Sequence, residues 1–232
     1  MDRREVCLCK LPAPDMLEFN LAPDAMCVIT DDGTPLTAQL ASALCDRQWR
    51  VSVLPLPHAA SSPRPPLPSN VTVLGPVEAG AGSIASALQS CGPIGAFVYL
   101  QPGAAGEMFS GEEKALARQL FFLAQHLKRP LHEAALHGRS CFVTVARLDG
   151  KLGLGGSRPF GAIGGGLFGL TKTLALEWPD VFCRAIDISP DCSTDRAVEA
   201  VIAELHDPNR LIVETGWDSL GRVTLVAQEP EA

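Results

Sequence analysis

Aromatic residues are scarce, at 6% of the chain, and there is a single tyrosine, Tyr99. Chemistry that needs a phenol as proton donor must therefore use that one residue. It sits in GAFVYL (95–100), an uninterrupted apolar run of the kind buried in a parallel sheet, where it reads as a core or strand-end residue. Basic clusters are missing too: the net charge is −7, which argues against nucleic acid or an anionic membrane surface as a partner. No apolar run is long enough to span a bilayer. The opening MDRREVCLCK is charged and has no apolar stretch behind it, so a secretory signal is not expected and the reading is cytoplasmic. There is no G-x-S-x-G nucleophile elbow, which excludes the usual serine-hydrolase arrangement. No internal repeat is visible.

Cysteine is present, but not in a ligand pattern. Of the 8 cysteines only Cys7 and Cys9 are closely spaced, and no second pair or nearby histidine completes a zinc site. Most lie in apolar, strand-like or helical runs, where a thiol acts as a small hydrophobe. His126, His132 and His137 do not repeat at a spacing of three or four, so they share no metal-binding helix face. No metal is expected.

With 47% hydrophobic residues in 232, the chain can bury one α/β core. Strand-like and helix-like segments alternate. Arg4–Leu11 reads as an edge strand, and Asp15–Pro23 as a linker. Met26–Thr30 is a short buried strand, Pro35 opens a helix, and Trp49–Leu54 is the next strand. Residues 55–68, PLPHAASSPRPPLP, form a proline-rich exposed loop. Further strands are expected at Asn70–Leu74, Gly95–Leu100, Cys141–Val145 and Val181–Ile188. Helices are expected at Gly80–Cys91, at Glu112–His137 with a kink or break at Pro130, at Leu167–Trp178, and at Arg196–Leu205. Leu211–Val213 and Val223–Val226 would close the chain as a hairpin around Asp218–Gly221. The pattern predicts a Rossmann-like, doubly wound, mostly parallel sheet with helices on both faces. One domain spans 25–227, with an N-terminal strand and linker (1–24) before it and a tail (228–232) after it.

The organising stretch is PFGAIGGGLFGLTKTLALEWPDVFCRAIDI (159–188): a glycine-rich loop, a helix with an apolar face and a strand. Its segment GLTKTLALE (169–177) resembles the helix that follows the active-site tyrosine in short-chain dehydrogenases/reductases. The match sharpens with TDDGTPLTAQLASAL (30–44), RLDGKLGL (147–154), GGGLFGLTKTLALEWPDVFCRAIDI (164–188), ELHDPNRLIVETGW (204–217) and GRVTLVA (221–227). In that order these phrases resemble the ketoreductase region of polyunsaturated-fatty-acid synthases and related iterative polyketide synthases, its N-terminal structural half in particular. That region holds two Rossmann-like halves. One binds NADPH and reduces a β-ketoacyl chain on an acyl carrier protein; the other buttresses it. The end of the chain falls about where the resembled synthases pass into the catalytic half, which suggests an excised domain.

The residues choose between the halves. Short-chain reductases place T-G-x-x-x-G-x-G after the first strand, so that backbone can approach a pyrophosphate. Here Thr30 is followed by Asp31, Asp32, Gly33, Thr34 and Pro35. Two carboxylates would repel the pyrophosphate, Pro35 lacks an N–H, and no arginine follows the second strand in LPLP (54–57). By the resemblance, the proton-donating tyrosine is replaced by Phe160 and its lysine or asparagine partner by Gly164. The serine position falls near Ala146 and Arg147, and the lysine of the preceding helix near Ala124, with Lys128 a turn away. No catalytic set can be assembled. Asp31 and Asp32 read as turn formers, and Gly164–Gly166 as a site of close packing. The expectation is a non-catalytic structural subdomain that binds no cofactor and positions an NADPH-dependent reductase half. Its partners would be that catalytic subdomain and neighbouring synthase domains, including the acyl carrier protein, with a homodimer through the 164–178 helix as a further option. Two alternatives stay open: an active reductase using Tyr99 or Lys172 in unusual roles, and a degenerate domain that binds a carrier protein.

Overall fold

The chain folds around a nine-stranded sheet with strand order β1-β9-β8-β7-β6-β5-β2-β3-β4. A computed structural model describes residues 4–56, 65–75, 81–102, 111–156 and 162–228. The strands are β1 (Glu5–Leu11), β2 (Met26–Asp31), β3 (Arg50–Pro55), β4 (Thr72–Val73), β5 (Ile94–Leu100), β6 (Cys141–Ala146), β7 (Phe182–Ile188), β8 (Glu214–Asp218) and β9 (Gly221–Gln228). The helices are α1 (Pro35–Asp46), α2 (Ala81–Gln89), α3 (Gly111–Ala135), α4 (Ala162–Glu177) and α5 (Thr194–Leu205). Strands β2 to β8 run parallel, and β9 turns back to pair antiparallel with β8 on one side and β1 on the other. This is the doubly wound, Rossmann-like α/β fold expected from the alternation of elements.

Local chemistry accounts for the element starts. Thr34 caps α1, its hydroxyl accepting from the Leu36 amide, and Pro35 takes the first turn, where its missing N–H costs nothing. Ser193 caps α5 in the same way through the Arg196 amide. The helices then bury their apolar stripes on the two sheet faces. One layer joins α2, α3 and α4 to Phe97, Tyr99, Phe142 and Ala185. The other joins α1 and α5 to Ile29, Val98, Val143 and Ile186. Every residue of β2, β5, β6 and β7 is buried, as in a parallel sheet covered on both faces, and β5 reads as one continuous apolar run.

Three expectations are corrected. Of the kink or break expected at Pro130, the break does not occur, since α3 runs through it. The second-to-last strand is Glu214–Asp218 and not Leu211–Val213; Leu211 is 94% exposed. The strand expected over Asn70–Leu74 contracts to Thr72–Val73. The proline-rich expectation at 55–68 falls partly outside the described residues. All eight cysteines are free. Among the described residues no helix is long and apolar enough to cross a membrane, and no cluster of three or more metal-ligand types occurs.

A buried charge network ties the antiparallel strands to the parallel sheet. Glu204, at the end of α5, is completely buried. Its Oε1 accepts from Trp217 Nε1 and from Arg222 Nε, both at 2.7 Å, and its Oε2 accepts from Arg222 at 2.8 Å and from Arg184. Asp207 accepts from both arginines, and Arg184 also donates to the Asn209 carbonyl at 2.6 Å. One carboxylate thus joins α5 to β7, β8 and β9. Glu204→Ala is expected to destabilise the fold by roughly 3–5 kcal/mol, because it leaves two guanidinium groups buried with half their partners. Urea unfolding followed by tryptophan fluorescence measures this.

Candidate functional site

In a doubly wound sheet the ligand crevice lies at the carboxyl ends of the strands, where the chain reverses its order. Here β2 leads to β3 and β4 on one side, and β5 to β8 on the other, so the crevice falls between β2 and β5. A side chain closes it. Thr30 Oγ1 accepts from the Leu100 amide at 2.7 Å and donates to the Leu100 carbonyl at 3.1 Å.

The loop above Thr30 is occupied by its own carboxylates. Asp31 Oδ1 accepts from the Gly33 amide at 2.9 Å. Asp32 Oδ1 accepts from the Thr34 amide at 2.9 Å and the Thr37 hydroxyl at 2.8 Å, and Asp32 Oδ2 from the Thr34 hydroxyl at 2.7 Å. The Asp32 amide in turn donates to Thr37 Oγ1. Both aspartates are buried, and Gly33 turns the chain with φ 75°. Asp31 and Asp32 are therefore turn formers, as the sequence suggests, and the N–H groups that a dinucleotide-binding turn offers to phosphate are directed at them. The Pro35 position has no N–H to offer. Residues in this geometry do not fit the pyrophosphate of a nicotinamide cofactor.

A second loop repeats the device at the end of β6. Asp187, at the end of β7, accepts from the Leu148 and Leu152 amides at 2.8 Å each. Asp149 accepts from Lys151 at 2.8 Å, Gly153 at 2.9 Å and Gly155 at 2.8 Å. The Asp149 amide also approaches Asp187 Oδ2, at 3.5 Å. Burial pushes Asp187 up, and the neighbouring Asp149 adds to this against the pull of the two amides, to about 7. Asp149 also loses water, but its three amide donors hold it below the usual carboxylate range. Sequence reasoning missed this pair. The only local signal is an aspartate followed by Gly150, Gly153, Gly155 and Gly156, a composition suited to wrapping backbone around an acceptor.

The positions that the resemblance matches to a reductase tetrad lie as follows among the described residues. Ala124 is buried on α3, in the same apolar cluster as Ala146 and Leu148. Arg147 points the other way, donating to the carbonyls of Ser189, Pro190 and Cys192 at 3.0–3.2 Å. Gly164 is buried on α4, and a Cβ there would run into Leu148. Phe160 lies outside the described residues. The close packing expected of Gly164–Gly166 holds for Gly164 alone; Gly165 and Gly166 are exposed with open space beside them. Tyr99 is completely buried between β2 and β6, its hydroxyl without a hydrogen-bond partner and its phenol pushed up by burial. Lys172 is paired with Glu214 at 2.9 Å.

The loop also meets β8 backbone to backbone. Gly150 has φ 72°, and a Cβ on it would strike the Trp217 carbonyl; a Cβ on Gly216 would strike the Gly150 carbonyl. Gly150→Ala is expected to cost roughly 2–3 kcal/mol through backbone strain and displacement. Gly169→Ala, on the open face of α4, should instead stabilise by roughly 0.5–1 kcal/mol. Thermal melts of the two variants check both signs.

No family model matches the chain. It is 28% identical over 213 residues to a subunit of the polyunsaturated fatty acid synthase of Thraustochytrium sp., covering 88% of this chain but only 7% of that protein. Among solved structures it resembles the 3-ketoacyl-(acyl-carrier-protein) reductase of Brucella melitensis complexed with NADH (TM-score 0.62, 15% identity, 82% of this chain and 93% of that one). It also resembles the multidomain structure of adenylation, ketoreductase and pseudo Asub domains from a keto acid-selecting NRPS module (TM-score 0.69, 12% identity, 98% of this chain and 18% of that one). A short-chain dehydrogenase from Burkholderia cenocepacia in complex with NADP is a third (TM-score 0.59, 14% identity, 82% and 86%). At these identities the structures speak to fold alone. The chain is a Rossmann-like domain of the short-chain reductase fold, related in sequence to one stretch of a polyunsaturated fatty acid synthase.

Proposed function

We propose that this chain is a non-catalytic structural subdomain of a ketoreductase region in a fatty-acid or polyketide synthase. Its work is to stabilise and orient a neighbouring half that binds NADPH and reduces a β-ketoacyl group held on an acyl carrier protein. The observation that carries the reading is the β2–α1 turn, whose amides are committed to Asp31 and Asp32 while Thr30 bridges to Leu100. The similarity to a short stretch of a much longer synthase polypeptide supports a setting among other domains. The positions Phe160, Gly164, Arg147 and Ala124 offer no hydroxyl or amine for proton transfer to a ketone. The rival reading as a reductase with an unusual site is weakened by the burial of Tyr99 and the ion pair of Lys172.

Calorimetric titration of the chain with NADPH and with NADH up to 1 mM (roughly −4.1 kcal/mol) should give no saturable heat. Micromolar binding of either nucleotide would sink the proposal. A stoichiometric complex with a separately expressed catalytic ketoreductase half, together with a raised melting temperature of that half, is the positive outcome.

A further inference from the structure

The two edges of the sheet are built differently. Among the described residues one edge is β4, only two residues long. The other is β1, which offers seven residues with no proline and an unbroken register to β9. Natural sheets shorten, kink or charge such an edge to keep other strands off it. β1 carries Glu5 at one end and Lys10 near the other, with Val6-Cys7-Leu8-Cys9 between them. Val6 is 56% exposed and Leu8 37%. Both share a face with Val223, Leu225 and Ala227 of β9, so a partly exposed apolar surface runs out to this edge.

Backbone pairing fixes which groups the edge presents. The Ser189 amide, just after β7, donates to the Trp217 carbonyl, so Trp217 faces β7 and its neighbours Gly216 and Asp218 face β9. Gly216 lies opposite Val223; Val223 therefore faces β8, while Arg222, Thr224 and Val226 face β1. Their partners on β1 are Leu11, Cys9 and Cys7. The N–H and C=O groups of Val6, Leu8 and Lys10 thus point away from the sheet, and the Lys10 carbonyl takes a long contact from the Cys9 thiol at 3.6 Å.

We propose that β1 is an interface between two copies of this chain, joined edge to edge as antiparallel strands about a two-fold axis at Leu8. The strand is its own complement. A two-fold axis across an antiparallel pair passes between a residue and its own copy. Leu8 is the midpoint of Glu5–Leu11, so an axis there pairs the strand along its whole length. Val6 then lies opposite the partner's Lys10, whose methylene stem covers it, and Glu5 opposite the partner's Leu11. Cys7 lies opposite the partner's Cys9 in a non-hydrogen-bonded pair, where small side chains suit the close approach of about 4.5 Å between Cα atoms. An axis at Cys7 would set Arg4 against the partner's Lys10, a like-charge pair. An axis at Cys9 would set Val6 against the partner's Pro12, which has no N–H to give. The interface is independent of the scaffold role, and a single strand pair is small, so the dimer is weak.

Sedimentation of the full chain in reducing buffer, at concentrations up to about 1 mM, should show a monomer–dimer equilibrium. Leu8→Lys sets two ammonium groups at the axis and should weaken the dimer about tenfold. Val6→Glu meets the partner's Lys10 and should tighten it about threefold, whereas Val6→Lys should weaken it by a similar factor. The register has its own readout. Diamide takes up the two hydrogens of a thiol pair, and a mixture of Cys7→Ser and Cys9→Ser should form a disulfide between the remaining Cys9 of one and Cys7 of the other, found by mass in the peptides spanning Glu5–Lys10. Either variant alone should not, because its own two thiols lie on the diagonal, with Cα atoms about 7–8 Å apart and beyond disulfide reach. A monomer at every concentration, a dimer that Leu8→Lys leaves unweakened, or cross-linking in the single variants with no gain in the mixture would each overturn the interface. Should Leu8→Lys not fold, the two Val6 variants shifting the dimer alike, or not at all, overturns it as well.

Discussion

Seven parallel strands end at one edge of this sheet, and each loop that leaves the edge must find acceptors for backbone N–H groups cut off from bulk water. That constraint shapes the rest of the molecule. A dinucleotide-binding protein can leave such donors to a phosphate. Among the described residues, the chain answers such donors internally with Asp31 and Asp32 after β2, Asp149 after β6, Asp187 at the end of β7 and Asp218 in the turn after β8. The choice has a cost, because buried carboxylates need several donors each to remain charged. The cost is met at Asp32 and Asp149 by three hydrogen bonds apiece, and less fully at Asp187, where burial pushes the carboxyl up against the pull of two amides.

The other end of the sheet solves a different problem. Strands β9 and β1 are added antiparallel to a parallel core, and little apolar surface holds them there: β1 is exposed or half-exposed throughout. Arg222 of β9 reaches Glu204 and Asp207 in the interior, and its other branch approaches the Pro12 carbonyl just after β1. Arg184 of β7 shares the same two carboxylates. The network is buried, so removing one member is more damaging than its net contribution suggests. Sharing of acceptors between β7 and β9, which are not neighbours in the sheet, is also what makes the C-terminal hairpin part of the domain rather than an appendage.

Much of the architecture is legible in the sequence because its determinants are local. GAFVYL, CFVTV and the α4 stripe carry their period in plain view, and Thr34-Pro35 and Ser193 mark helix starts. Where the reading slips, long-range contacts decide. Leu211–Val213 has strand-like composition, yet side-chain turns from Asp207 to Asn209 and from Asn209 to Leu211 hold it as an approach segment. The strand forms instead at ETGWD, where Gly216 allows contact with Gly150 and Trp217 reaches Glu204. The site divides in the same way. The carboxylates of the β2–α1 turn are adjacent in sequence and could be read as turn formers. Asp149 and Asp187 are far apart in the chain, and only the parallel pairing of β6 with β7 brings them together.

The crevice between β2 and β5 is closed by the chain's own side chains. A glycine placed at Asp31 would not by itself open the turn, because Asp32 would still hold the Thr34 amide and the Thr34 and Thr37 hydroxyls, and Thr30 would still bridge to Leu100. Each of these contacts satisfies a group that the others leave unsatisfied, so they change together or at a penalty of about 1–3 kcal/mol for each buried polar group left unpaired. The consequence for the proposed scaffold role is mechanical. A reductase whose loops need a nucleotide to order them changes rigidity with cofactor loading. A subdomain whose loops are closed on its own carboxylates presents the same surface whether or not its neighbour is loaded, which is the property a fixed support for a working catalytic half requires.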